Sequence, residues 1–191
     1  MDRTPIIGNK YKTNEGYEIE VIDYINKNNV LIKFVDRPEL QIWSTTRNIS
    51  QGQIKNPYHL SVYNRGYYGV GKYTARINNK KTSQYIKWHS MFVRCYDEKY
   101  QERQPQYIGC VVSDEFVCFQ NFAQWYDNKI YECPYPLELD KDLLVRNNKI
   151  YSPQYCCFLP KEINTTINTQ RDNKNRMMEL YEKYKNAVPF I

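Results

Sequence analysis

The sequence predicts a mixed α+β chain: a small N-terminal antiparallel β barrel or sheet, then a ββα unit flanked by helices. Three observations predict it. Polar and apolar residues alternate between Tyr17 and Ser44, the period of half-buried strands. Apolar residues recur at helical spacing over Ser83–Tyr96 and Phe116–Ile130. Leu137–Asn164 then reads as strand, loop, strand and helix.

In Tyr17–Tyr24, Ile19 and Val21 alternate with Glu18 and Glu20; after a turn at Asn28-Asn29, Val30–Val35 puts Val30, Ile32 and Phe34 on one face. Asp36-Arg37-Pro38 turns the chain again, and Leu40–Ser44 supplies a third strand, so residues 1–50 form a β-rich module. Residues 51–83 read as a basic linker or nucleic-acid contact segment, punctuated by Asn56-Pro57 and by Gly66, Gly69 and Gly71. These glycines bring backbone amides within reach of phosphates, but their spacing is not a dinucleotide fingerprint, since no strand–helix context surrounds it. Residues 84–169 form the main domain. Ser83 caps a helix carrying Ile86, Trp88, Met91, Phe92 and Cys95, and Phe119, Phe122, Ala123, Tyr126 and Ile130 mark a second. Leu137–Leu144 and Cys156–Leu159 form strands, and Pro160 opens a helix through Lys161–Asn164. Within 170–191, Arg171–Lys185 is an amphipathic helix with Met177, Leu180, Tyr181 and Tyr184 on one face, for which core packing is the default.

Composition narrows the function classes. The chain is 41% hydrophobic and has 19 tyrosines, yet its mean hydropathy is −0.78. No apolar run approaches the ~18 residues a membrane span needs, and Met1–Lys12 lacks an apolar core for a secretory signal. A cytosolic setting then keeps Cys95, Cys110, Cys118, Cys133, Cys156 and Cys157 reduced. With no Cys-x-x-Cys pair and with His59 far from His89, no zinc is expected, and the cysteines read as small buried hydrophobes.

Charge is segregated. The net charge is +6, but between Leu40 and Tyr96 there is no acidic residue and there are nine cations: Arg47, Lys55, Arg65, Lys72, Arg76, Lys80, Lys81, Lys87 and Arg94. The rest of the chain carries 18 cations against 21 acids. Tyr58, Tyr63, Tyr67, Tyr68, Tyr73 and Tyr85 are interleaved with the cations. Cations neutralise phosphates and aromatic faces stack on bases, so this segment is a candidate nucleic-acid face, with Tyr67 and Tyr68 as stacking residues. A solvated basic face around an aromatic core is the alternative.

The acidic residues that follow have their own pattern. Asp140, Asp142 and Asn164 can meet at the mouth of a strand–loop–strand–helix unit. Oxygen ligands of this kind suit Mg²⁺ or Mn²⁺, and one such metal beside a phosphate supports phosphodiester hydrolysis. Against that stand solvated strand-edge carboxylates paired with Lys141 and Arg146, a turn asparagine at Asn148, and a helix-end amide at Asn164. His89 is a substitute base only if its helix crosses the metal site.

Trp88-His89-Ser90-Met91 with Arg94-Cys95-Tyr96, the aromatic spacing of Phe116, Phe119, Phe122 and Trp125, and Leu139-Asp140-Lys141-Asp142 together resemble the pattern of the HNH, or His-Me finger, endonucleases found as free-standing genes in phages. It continues through Tyr151-Ser152-Pro153, Cys156-Cys157-Phe158, Pro160 and Ile163-Asn164. Gly52–Tyr58 resembles the module that often precedes such a domain. The resemblance implies an HNH-like ββα-metal domain over 84–169. It implies metal ligation by Asp140, Asp142 and Asn164, and catalytic roles for Asp140, Lys141, Asn148 and His89. Asp140 stands where a typical member has the histidine that deprotonates water, and a carboxylate with an ordinary pKa near ~4 is a weak base.

Two functions are therefore expected. One is a metal-dependent endonuclease or nickase acting on double-stranded DNA in a host-cell cytoplasm. The other is a catalytically inert relative that binds DNA or inhibits a host defence protein. A single-strand RNA binder is a weaker third reading.

Overall fold

Alternation gives strands in the N-terminal region, but the sheet they form is open. The structure is a computed structural model describing residues 6–189, the side chain of Asn168 apart; the remaining positions of the expected ranges 1–50 and 170–191 lie outside the described residues. The chain divides after His59 into two units. The first holds β1 (Lys10–Lys12), β2 (Glu18–Asn26), β3 (Asn29–Phe34) and β4 (Gln41–Ser44), antiparallel neighbours in the order β1-β2-β3-β4. The expected barrel does not close: the outer strands have three and four residues, too short to curl the sheet until its edges pair. Register sets Ile19 opposite Phe34 and Val21 opposite Ile32. That pairing puts all four side chains, with Val30, fully inside. Helix α1 (Thr46–Ser50), capped by Thr45, adds Ile49 to the same core.

The second unit begins with a hairpin, β5 (Arg76–Ile77) and β6 (Lys80–Lys81), inside the expected linker. Next come α2 (Ser83–Tyr96), α3 (Glu98–Arg103), a 3₁₀ turn at Pro105–Tyr107 and β7 (Val111–Val112). The chain continues through α4 (Asp114–Val117), α5 (Phe119–Lys129), β8 (Leu137–Asp140), β9 (Ile150–Tyr151) and β10 (Cys157–Pro160). It ends with α6 (Lys161–Gln170) and α7 (Lys174–Tyr184). Strand β8 runs antiparallel to β10, and β7 runs parallel to β9. Trp88, Met91 and Phe92 of α2 pack with Phe116, Phe119, Phe122, Tyr151 and Phe158 in one aromatic core. A smaller core joins Leu159, Ile163 and Ile167 to Leu180, Tyr184 and Val188, so the terminal helix packs on the body, as its default reading expects.

Several local expectations are corrected. The single helix expected over Phe116–Ile130 breaks at Cys118, which is extended (φ −83°, ψ 122°). The break lets the chain pair with Tyr67: the Tyr67 amide donates to Val117 O (3.1 Å), and the Phe119 amide donates to Tyr67 O (2.9 Å). Thr82, not Ser83, caps α2, its hydroxyl accepting from the Tyr85 amide. Helix α6 runs to Gln170, six residues past Asn164. The glycines of the basic segment sit against protein. A Cβ on Gly66 would lie 2.7 Å from the Phe92 ring and 3.0 Å from Trp88, and Gly69, at φ +71°, backs onto Cys118 Sγ. All six cysteines are free thiols, and Cys95, Cys110, Cys118 and Cys156 are buried. Among the described residues no helix is long and apolar enough to cross a membrane.

Candidate acidic loop and cationic surface

Strand β8 ends at Asp140, four residues before the expected end, because Asp140 itself stops it. Its Oδ2 accepts the backbone amides of Asp142 (2.8 Å) and Leu143 (2.6 Å). An aspartate that captures amides two and three residues on folds the chain into a turn instead of extending it. Asp140 is 3% exposed. Burial pushes its carboxyl above the usual carboxylate range, and the two amides act in the opposite direction.

Lys141 points into the protein and is 5% exposed. Its ammonium donates to both oxygens of Asp142 (2.9 and 2.8 Å) and to Asn148 O (2.5 Å), filling its three donor positions. Asn148 closes the loop from the far side. Its Nδ2 donates to Lys141 O (3.0 Å) and Ile150 O (2.6 Å), and its Oδ1 accepts from the Ile150 amide (3.0 Å). Arg171 clamps the outside by donating to Asp142 O and Leu143 O. Asp140, Lys141, Asp142 and Asn148 thus share one hydrogen-bonded loop staple.

The other two members of the expected site make contacts of their own. Asn164, on α6, donates to Glu138 Oε2 at 3.3 Å, so the acid it meets on β8 is one that sequence reasoning passed over. The signal was available: Glu138 is two residues from Asp140, and so on the same face of the strand. Among the described residues no three His, Cys, Asp or Glu side chains gather where they could hold a metal ion. His89 faces away from the loop, because it follows Lys87 by two residues, about 200° round the helix. Its ring meets those of Tyr63 and Tyr85. Burial, helped by Lys81, pulls its pKa below the ordinary histidine value, and a ring held neutral is poorly suited to an anion.

The cations divide by role. Lys87 Nζ donates to Leu137 O (2.8 Å), and Arg94 Nη1 reaches Leu139 O (3.4 Å) and the Tyr151 hydroxyl (3.3 Å). These two side chains, seven residues apart on α2, take carbonyls two residues apart on β8. Both were expected to contact nucleic acid, and both instead hold the edge of β8. Lys55, in the first unit, pairs with Glu15 at 3.1 Å; Arg47, also there, is exposed.

The remaining five, Arg65, Lys72, Arg76, Lys80 and Lys81, are all exposed. Among the described residues no salt bridge engages any of them. Within the hairpin, Arg76 lies directly opposite Lys81 and Ile77 opposite Lys80. The turn residues Asn78 (φ 49°) and Asn79 (φ 61°) take the left-handed pair that a tight two-residue hairpin demands. Like charges directly across a strand pair are destabilising unless an anion lies between or above them. Of the two expected stacking tyrosines, Tyr67 is half-buried at the Cys118 bridge. Tyr68 stacks on Tyr85 (ring centroids 6.1 Å apart, planes 8° off parallel) and edges against Phe119, so it serves the core. The chain matches no protein-family model, no curated protein and no solved structure.

Proposed function

We propose that this protein binds double-stranded DNA through the cations between Arg65 and Lys81, and that its Asp140–Asn148 loop serves as a structural staple in an HNH-like ββα unit. The observation carrying the proposal is the set of five exposed cations without a carboxylate partner among the described residues, two of them facing each other across a hairpin. The order β8, loop, β9, β10, α6 supports the HNH-like reading, as does the resemblance of its motifs to those of the phage endonucleases. The inert reading is favoured over catalysis because Lys141 holds both oxygens of Asp142, while His89 lies on another face of α2.

The test is binding of the full-length protein to a labelled duplex of about 20 base pairs in EDTA, followed by fluorescence anisotropy. Wild type binds without metal at low salt, and Arg76→Glu/Lys81→Glu weakens binding at least tenfold. Binding left intact by that reversal of charge overturns the proposal.

A second reading, a metal-dependent nuclease, is favoured by one contact, the meeting of Asn164 and Glu138. The contact turns the Asn164 amide nitrogen toward the carboxylate; rotated end for end, the amide would offer its oxygen beside Glu138, and that pair, completed by water, is a donor set acceptable to Mg²⁺ or Mn²⁺. It requires plasmid nicking with Mg²⁺ or Mn²⁺ that Glu138→Gln and Asn164→Ala abolish. An uncut plasmid in both metals eliminates it.

A further inference from the structure

Along α2, a cavity of about 250 Å³ opens beside the cationic hairpin. Tyr85, His89 and Tyr100 line it together with Ile86 and Val93, and Lys81, the last residue of β6, stands among the lining residues. The volume lies below the roughly 300–1,000 Å³ of drug-sized sites, enough for a single ring system and too small for a helix or a strand. Its walls are aromatic and aliphatic, and Lys81, His89, Ser90 and Arg94 add polar groups. The His89 ring is held at 5.7 Å from the Tyr85 ring and tilted by 44°. Lys81 Nζ lies 5.7 Å from the centre of the Tyr85 ring, which places an exposed cation within a few ångströms of an aromatic wall.

We infer that this cavity takes one unpaired nucleobase from a nucleic-acid strand whose phosphates lie on Arg76, Lys80 and Lys81. A base offers a flat π face and polar edges, and its phosphate trails it by one sugar. An aromatic cavity with a cation beside it matches both parts. A perfect duplex keeps its bases stacked inside and can use only the cations. Neutral His89, whose pKa is lowered by burial and by Lys81, presents one ring donor and one acceptor to a base edge, where an imidazolium would present only donors. Ile86, 49% exposed, forms part of the lining and gives the base apolar contact.

The inference rests on the DNA-binding reading above and adds the cavity to it. The experiment compares two labelled duplexes in EDTA, identical except that one carries a single unpaired 2-aminopurine as a bulge. The bulged duplex is expected to bind about tenfold or more tighter, the range that stacking one base supports, with a change in the 2-aminopurine fluorescence on binding. Ile86→Glu, at an exposed site with no core role, removes the preference and the fluorescence change while leaving the perfect duplex bound. Lys81→Glu weakens both duplexes alike. Equal affinity for the two, or a preference that survives Ile86→Glu, overturns the cavity assignment alone. Failure to bind either duplex at low salt overturns the DNA-binding reading as well.

Discussion

At the scale of single residues, the acidic loop separates a structural role from a chemical one. Lys141 is an ammonium inside the protein whose compensation is Asp142 and one carbonyl. Removing one partner of such a pair strands the other, whereas replacing both with apolar side chains of similar volume is often neutral. Lys141→Met is therefore expected to cost about 3 kcal/mol of stability, and adding Asp142→Leu to recover most of it, measured by urea unfolding. A lysine kept for chemistry alone would show neither effect. Asn148 makes three hydrogen bonds from 8% exposure. Asn148→Asp puts a carboxylate oxygen against two carbonyls and is expected to cost at least about 2–3 kcal/mol. The Asp140 turn was legible in principle, because Asp is a turn-forming residue wherever its side chain reaches amides two and three positions on. What hid it was the apolar run Leu143-Leu144-Val145, which reads as continuing strand.

At the scale of elements, α6 and α7 are joined by an ionic clasp beside their small core. Glu162 Oε1 takes Arg176 (2.6 Å), and its Oε2 takes Lys183 (2.5 Å) and the Tyr184 hydroxyl (2.7 Å). Lys183, then Tyr184, lower the Glu162 pKa to about 2. A carboxylate depressed in the folded state adds stability above its unfolded pKa of ~4.3 and loses it as pH falls through that value toward about 2. Protection of the Leu180 and Tyr184 amides against hydrogen exchange should thus fall across that window. Glu162→Gln should flatten the change and lower protection at neutral pH by on the order of 1 kcal/mol, a modest figure because the carboxylate is a third exposed. Protection that tracks pH equally in both proteins would place the clasp elsewhere. Strands β2 and β3, and helices α2 and α7, were legible because periodicity reports burial on one face. The break at Cys118 was not, since its cause is Tyr67, some fifty residues earlier in the chain. Nor were the roles of Lys87 and Arg94, since a sequence does not say which strand edge needs donors.

At the scale of the whole molecule, the acid-free stretch contains three kinds of cation. Lys55 is paired, Lys87 and Arg94 hold β8, and five in the second unit stand exposed without an acidic partner among the described residues; Arg47, exposed in the first unit, is the ninth. Only cations that meet phosphate release counterions, so salt dependence distinguishes these classes in a way that net charge does not. If all five from Arg65 to Lys81 engage one duplex, log K should fall against log salt with a slope of about −4.5. Arg76→Gln/Lys81→Gln should make the slope shallower by about 2. Lys55→Gln should leave it nearly unchanged, because its ammonium already faces Glu15. A wild-type slope shallower than about −2 would mean that fewer than three of these cations reach phosphate. The like-charge pair Arg76 and Lys81 would then be left with no anion to offset its repulsion, and the hairpin would need another explanation.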